Sequence, residues 1–437
     1  MARKIKSETY CPIPFHHTIV KTNNHCGVCC AFQDKDHSDR TGVNPNIHVN
    51  DLSDLSEYLN SDAIVEIQQK MLNGEKVAGC KVCYERESFG YESVRTKELK
   101  RVIDNDHSDV IYEKAISGEK LDLTYLEITF GNFCNLACRS CASELSTSWY
   151  EDDAWMHDNT EYGKYFIKKW QEHGKLNVTR DFNVEDLKDL KLIKITGGEP
   201  MLHPNFYKFL GAMPQNNIAC EIFTNTSHVP KERLLKSLLK FKKIKLFLSI
   251  DDIGTGQEYM RHNSNWDTTV KSAIEWLKWT KENTDKVQLI LAPTFSIYNA
   301  ESVPRLLDWW LGITNDYLGE DADRVIGGVH SNILSRPEWM QLFLHKRKEE
   351  ILKQSYHYLK YLKKSDLHGA SKMTNVVSGF INYLDAPVSK NKLKTLRKEF
   401  VEITTHLDRR RNQSLEKVYP KLYEDFKEEF EEFAKRD

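Results

Sequence analysis

The chain has 437 residues, 62 of them basic and 64 acidic, for a net charge of −2. That length exceeds what one hydrophobic core fills, so two or three domains are expected, and the balanced charge supplies no global field to draw in nucleic acid. The hydrophobic share of 40% suits a globular protein; no stretch nears the ~18 uninterrupted apolar residues of a membrane span, and MARKIKSETY lacks a signal-peptide core, so the expected address is the cytoplasm, without a membrane partner.

Cysteines dominate the first third. Ten stand at positions 11, 26, 29, 30, 80, 83, 134, 138, 141 and 220. In a reducing compartment a disulfide framework is not expected, and clusters spaced by two or three residues point to metal or redox chemistry. Cys220, alone inside IACEIF, reads as a small buried hydrophobe. Residues 1–105 form a cysteine-rich segment with turn-rich stretches and one helical candidate over 54–72.

From 106 to 334 the sequence alternates β-rich runs with helical stretches. The runs are 126–130, 192–196, 220–225, 244–251, 287–294 and 324–329. Between them, 230–241, 266–279 and 301–312 carry apolar residues at helical spacing. Such alternation predicts βαβ units and a mostly parallel sheet. Six strands are too few for a closed eight-stranded barrel, so an open, partial barrel is expected. Residues 335–437 read as a charged helical extension, with Phe426, Phe430 and Phe433 repeating on one face of a docked tail.

The first strand of the array runs into GNFCNLACRSC, which sets Cys134, Cys138 and Cys141 in C-x3-C-x2-C spacing just past its C-terminal end. Parallel α/β folds gather their reactive loops there. Three thiolates on one short loop can hold three irons of a cubane cluster and leave the fourth iron open.

This motif resembles the signature of the radical S-adenosylmethionine (SAM) superfamily. The resemblance implies an α/β fold with a partial (β/α)6 barrel, and a [4Fe–4S] cluster on Cys134, Cys138 and Cys141. It further implies that SAM binds the open iron, and that an electron from an external one-electron reductant cleaves it to a 5′-deoxyadenosyl radical that takes hydrogen from a substrate. One departure is Ser140, where the family commonly carries an aromatic residue.

ITGGEP after the second strand is similar to the family's GGEP turn, which gives Gly197, Gly198 and Glu199 the SAM amino group, with Pro200 shaping the turn. By the same resemblance Thr224, Asn225, Ser249 and Asp251, at the ends of the third and fourth strands, face the methionyl carboxylate and ribose. Read without it, they are helix caps. Arg261 resembles the arginine that pairs with the SAM carboxylate, against a plain surface arginine. Thr294 and Ser296, with Asn299 beyond, are expected at the adenosine.

The N-terminal cysteines form a second constellation, for which Cys11, Cys29, Cys80 and Cys83 are the expected ligands, with Cys30 or Cys26 as the alternate. CPIPF, the CC pair and C-x2-C resemble the twitch domain, the shortened form of the SPASM auxiliary-cluster domain. Here it precedes the SAM core, as in a group of similar proteins common in tailed phages. The site takes a second [4Fe–4S] cluster or, since four cysteines with a C-x2-C knuckle also suit it, a structural zinc. His16 and His17 read as core or surface residues before ligands.

By analogy with relatives that carry such domains, the expected substrate is a peptide or protein. A radical SAM dehydrogenase or mutase on a small metabolite, and a non-catalytic iron–sulfur or zinc protein for binding or redox sensing, are the alternatives. The C-terminal extension is read either as a cover for the barrel mouth or as a packing appendage. Arg409, Arg410 and Arg411 are candidate contacts for an anionic substrate group, although consecutive helical residues diverge.

Overall fold

The structure is a computed structural model and describes residues 7–88, 92–104, 108–160, 178, 182, 184–213, 215–385 and 388–435. It divides into two compact units. The first comprises Met1–Asn132, Lys175–Glu221 and Lys240–Lys242; the second comprises Phe133–Gly174, Ile222–Leu239 and Lys243–Asp437.

The strands, in chain order, are β1 (His17–Val20), β2 (His25–Gly27), β3 (Ile47–His48), β4 (Tyr125–Thr129), β5 (Ala137–Cys138), β6 (Leu192–Thr196), β7 (Ala219–Thr224), β8 (Lys243–Leu248), β9 (Arg261–His262), β10 (Val287–Leu291), β11 (Thr294–Phe295), β12 (Ile326–Val329) and β13 (Asn332–Ile333). The six runs read from the sequence correspond to β4, β6, β7, β8, β10 and β12. Residues 324–325 instead close the short helix Ala322–Val325.

In the first unit β4 lies between two parallel neighbours. Tyr125 to Thr129 pair with Leu192 to Thr196 of β6, and Tyr125 to Ile128 with His17 to Val20 of β1. All five residues of β4 are buried, as a central parallel strand covered on both faces requires. On β6 the pattern alternates, with Ile193 and Ile195 buried and Leu192, Lys194 and Thr196 half-buried. Beyond β1 the sheet turns antiparallel through β2 and β3, so the cysteine-rich segment contributes strands that its turn-rich sequence did not announce. The helical candidate over 54–72 is broken in two, Ser56–Leu59 and Asp62–Leu72, by an extended Ser61.

The second unit carries the parallel set β8–β10–β12, with Ile244 to Leu248 opposite Val287 to Leu291. The helix Trp266–Glu282 starts where the Asn265 side chain accepts the Thr268 N–H at 2.9 Å, and it buries Ala273, Trp276 and Leu277. Val303–Leu318, longer than the sequence pattern suggested, buries Leu306, Leu307, Trp310 and Leu311 and stops at Gly319 with φ 56°.

A separate apolar cluster of this unit gathers Trp149, Tyr259, Tyr298, Phe400, Ile403, Leu407, Leu422 and Phe426. Phe430 and Phe433 pack on its edge, so the phenylalanine stripe of the tail is a docked face. The chain turns at Phe426, between the short helices Pro420–Asp425 and Lys427–Ala434. Among the described residues no helix is long and apolar enough to cross a membrane.

Candidate functional site

Cys134, Cys138 and Cys141 stand on a tight loop at the start of the second unit. Cys134 is buried and the other two half-buried. The Cys141 N–H donates to the Cys138 carbonyl at 2.9 Å, which fixes the turn between them. β5 pairs antiparallel with β9, placing Cys138 opposite Arg261 and Ala137 opposite His262. The thiol-bearing loop is therefore hydrogen-bonded to the segment carrying the expected arginine. Burial pushes the Cys138 thiol up to about 11, with the Arg261 charge opposing it, and also pushes Cys141 well above the ordinary thiol range, with the neighbouring thiols adding to the shift.

Side chains from strand ends in the same unit converge on these sulfurs. Asn225 Nδ2 donates to Cys134 Sγ at 3.6 Å and to Asn135 Oδ1 at 2.9 Å. Arg261 Nη1 donates to Cys138 Sγ at 3.7 Å. Arg261 Nη2 also donates to Asp251 Oδ1 at 3.2 Å, and its Nε approaches Asp251 Oδ2 at 2.8 Å without hydrogen-bond alignment. The arginine expected to meet a carboxylate of SAM thus already meets one of the protein's own, and both groups are buried.

Asp251 also accepts the Thr294 N–H at 2.7 Å. Asn299 bridges the same corner, donating to the carbonyls of Asp251 (2.7 Å) and Thr294 (3.0 Å) while its Oδ1 accepts the Ser296 N–H at 2.8 Å. Thr224 and Ser249 are tied through their backbones, with Ser249 N–H to Thr224 O at 2.9 Å. Asn225, Asp251, Arg261, Thr294, Ser296 and Asn299 therefore form one linked polar corner around the cysteine loop.

The GGEP turn belongs to the first unit. Gly197 and Gly198 both have positive φ, 75° and 55°. A Cβ on Gly197 would lie 1.8 Å from Thr129 Cγ2, so only glycine fits against β4 there. Glu199 is buried and caps the short Pro200–Leu202 turn by accepting the Met201 N–H at 3.2 Å.

The N-terminal cysteines lie wholly in the first unit. Cys11, Cys29, Cys80 and Cys83 line one small cavity, walled by Ile13, Val28, Phe32 and Met71 and edged by Arg95. Burial and the proximity of the other thiols raise Cys11, Cys29 and Cys80 well above the ordinary thiol range. Cys26 is buried within β2 and Cys30 is exposed, and neither lines the cavity. His16 and His17 are buried core residues: His16 contacts Thr124 Oγ1 at 3.0 Å, and His17 meets the Val28 carbonyl at 3.1 Å. Cys220 is buried as expected.

No family model and no curated protein matches the chain. Solved structures do resemble it loosely. One is anSMEcpe with bound AdoMet and a peptide, 15% identical over 53% of this chain and 60% of that one, with a TM-score of 0.33. Another is SuiB from Streptococcus suis bound to S-adenosylmethionine, 13% identical over 79% and 68% of the two chains, TM-score 0.33. SuiB bound to its precursor peptide SuiA is 14% identical over 66% and 61%, TM-score 0.34. The chain spans about 60% of the length of the first of these. At such scores the reading of the site rests on its own residues.

Two features of the site were not legible beforehand. Arg139, inside the cysteine motif, is fully buried and holds Asp408 of the helix Lys390–Arg411. Arg410 and Arg411, expected to meet an anionic substrate group, both pair with Asp152, each with a 2.8–2.9 Å contact.

Proposed function

We propose that the chain is a radical SAM enzyme built on a partial (β/α)6 barrel, with Cys134, Cys138 and Cys141 holding a [4Fe–4S] cluster. The observation that carries this reading is the convergence of two side-chain N–H donors, from Asn225 and Arg261, on the sulfurs of Cys134 and Cys138. Donors of this kind stabilise thiolates and tune a cluster held on them. Cys134, Cys138 and Cys141 would hold the cluster, which when bound would supply the one-electron reduction of SAM, fed by an external reductant, that such hydrogen-abstraction chemistry needs.

The chain's own residues orient and shield. Asp251 fixes the plane of the Arg261 guanidinium, and Asn299 and Ser296 lock the corner behind Asp251. Burial of Cys134, Asn225 and Arg261 keeps water from the Cys134 sulfur, while Cys138 and Cys141 stay half-buried. By resemblance, Gly197, Gly198 and Glu199 take the SAM amino group, Thr224, Ser249 and Asp251 its ribose and carboxylate, and Thr294 and Ser296 its adenosine.

Cys11, Cys29, Cys80 and Cys83 are proposed to hold an auxiliary [4Fe–4S] cluster, within a division of the chain at 1–105, 106–334 and 335–437. Tetrahedral zinc at 2.3 Å from each thiolate draws sulfurs to about 3.8 Å of one another. The larger cluster is preferred here on the resemblance of this segment to auxiliary-cluster domains, with the four cysteines around one cavity as its ligands. The substrate is proposed to be a peptide or protein, on the resemblance of this segment to auxiliary-cluster domains, in line with the phage-type group.

The test is 5′-deoxyadenosine formation from SAM by anaerobically reconstituted protein under a strong reductant. Formation that disappears in the Cys134, Cys138 and Cys141 to Ala triple variant supports the reading. Loaded protein that forms none contradicts it.

A further inference from the structure

The helix Lys390–Arg411 ends against the cysteine loop with charges where packing alone would need only apolar groups. Its buried face, Leu396, Phe400, Ile403 and Leu407, already joins the core of the second unit. Its last turn adds Asp408, committed to Arg139 next to Cys138, and Arg411, committed to Asp152.

Asp408 pairs with Arg139, the residue directly after Cys138. The Arg139 guanidinium also donates to the Tyr259 carbonyl at 3.1 Å and to Gln413 Oε1 at 3.0 Å, and lies 3.7 Å over the Tyr259 ring. The Arg139 backbone N–H donates to the Met260 carbonyl at 2.8 Å, extending the β5–β9 pairing by one bond. The second Asp408 oxygen accepts the Leu415 N–H at 2.6 Å, which closes the turn after the helix.

Arg411 approaches the loop by a second route. Its Nε donates to Asp152 Oδ2 at 2.9 Å, and its guanidinium lies 4.5 Å from the centre of the Trp149 ring. Trp149 in turn donates from Nε1 to the Cys138 carbonyl at 2.8 Å. Asp153, next to Asp152, accepts the Ser143 N–H at 2.8 Å, just past Cys141. Arg411 and Asp152 are both buried; removing Asp152 leaves the Arg411 charge without its partner near Cys138, whereas removing Arg411 leaves Asp152 with Arg410 alone.

We propose that the end of this helix braces the cysteine loop and sets the charge around it: Asp408 through Arg139, and Arg411 with Asp152 through Trp149, are positioning residues for the cluster. This rests on the reading of Cys134, Cys138 and Cys141 as cluster ligands. It gives the C-terminal extension a role at the loop, neither as a mere appendage nor as a contact for substrate. Charge near a cluster moves its reduction potential, because reduction adds an electron: a lost cation lowers the potential and a lost anion raises it.

The experiment uses full-length protein, reconstituted anaerobically, in wild-type form and as Arg411→Gln, Asp152→Asn and Arg139→Lys. Two quantities are read: the midpoint potential of the electron paramagnetic resonance signal that responds to SAM, and the half-life of iron against a chelator. Arg411→Gln should lower the potential and Asp152→Asn should raise it, and both should shorten retention several-fold. Arg139→Lys keeps the charge but loses the planar fork, so retention falls while the potential stays near wild type.

Should either neutral variant fail to fold, Arg411→Lys takes its place, with the pattern expected of Arg139→Lys. Shifts in one direction only, or potentials and retention equal to wild type, would overturn the brace while leaving the cluster reading intact. A wild-type protein without any SAM-responsive signal would overturn both.

Discussion

Arg261 reaches Cys138 Sγ at 3.7 Å with one nitrogen while its other donors face the Asp251 carboxylate, at 3.2 and 2.8 Å. The carboxylate therefore sets the angle at which a fixed positive charge meets a thiol. Asp251→Asn removes that control and leaves both cysteines and arginine in place. Loss of a partner that orients a ligand's neighbour typically costs ~10–100-fold in metal affinity or activity. A drop of that size in 5′-deoxyadenosine formation, measured at matched iron content, is expected.

Gly197 sits at φ 75° with Thr129 Cγ2 only 1.8 Å from where its Cβ would be. Gly197→Ala should destabilise the first unit by ~1–3 kcal/mol from backbone strain, with the steric clash added. Thr129→Ser deletes the clashing methyl, so the double variant should recover the clash portion in urea unfolding and keep the strain portion. Equal stability of the single and double variants would show that the Thr129 contact is not what reserves the position for glycine.

The four cysteines around the N-terminal cavity are separable from their neighbours. Cys29→Ser should reduce the iron of the reconstituted chain by ~4 per molecule, the content of one cubane. Cys26→Ser and Cys30→Ser should leave it unchanged, since neither lines the cavity with Cys11, Cys80 and Cys83. Iron and sulfide analysis of the three variants checks this.

Two buried histidines predict acid sensitivity. Burial depresses His17 and His345 to about 3. A histidine held neutral in the folded chain binds fewer protons than its unfolded counterpart below the ordinary value of about 6.5. Its contribution is therefore intact above that pH and is lost as the pH falls from 6.5 toward 3, at ~1.4 kcal/mol per pH unit for each group. Metal-free protein should unfold at lower urea at pH 5.5 than at pH 7.5, and His345→Gln should flatten that difference.

The strands after residue 122 were legible because their periodicity is strong and each ends in the polar residues that the next turn needs. The expected loop cysteines, Asn225 and Asp251 come together because each follows the end of a parallel strand, and Arg261 joins them through the antiparallel β5–β9 pairing. β1 to β3 were not legible, because two to four residues such as HTIV or HCG carry too little pattern. The Arg139–Asp408 pair was beyond reach for another reason: its partners are 269 residues apart, and a charge pattern on one segment does not name its mate on another.

The most direct test is the electron paramagnetic resonance spectrum of the reduced, reconstituted protein before and after SAM is added, with the Cys134, Cys138 and Cys141 to Ala variant alongside. The account predicts a signal that changes shape with SAM in the wild type and a SAM-insensitive spectrum in the variant. A fully iron-loaded wild type whose spectrum ignores SAM would contradict it.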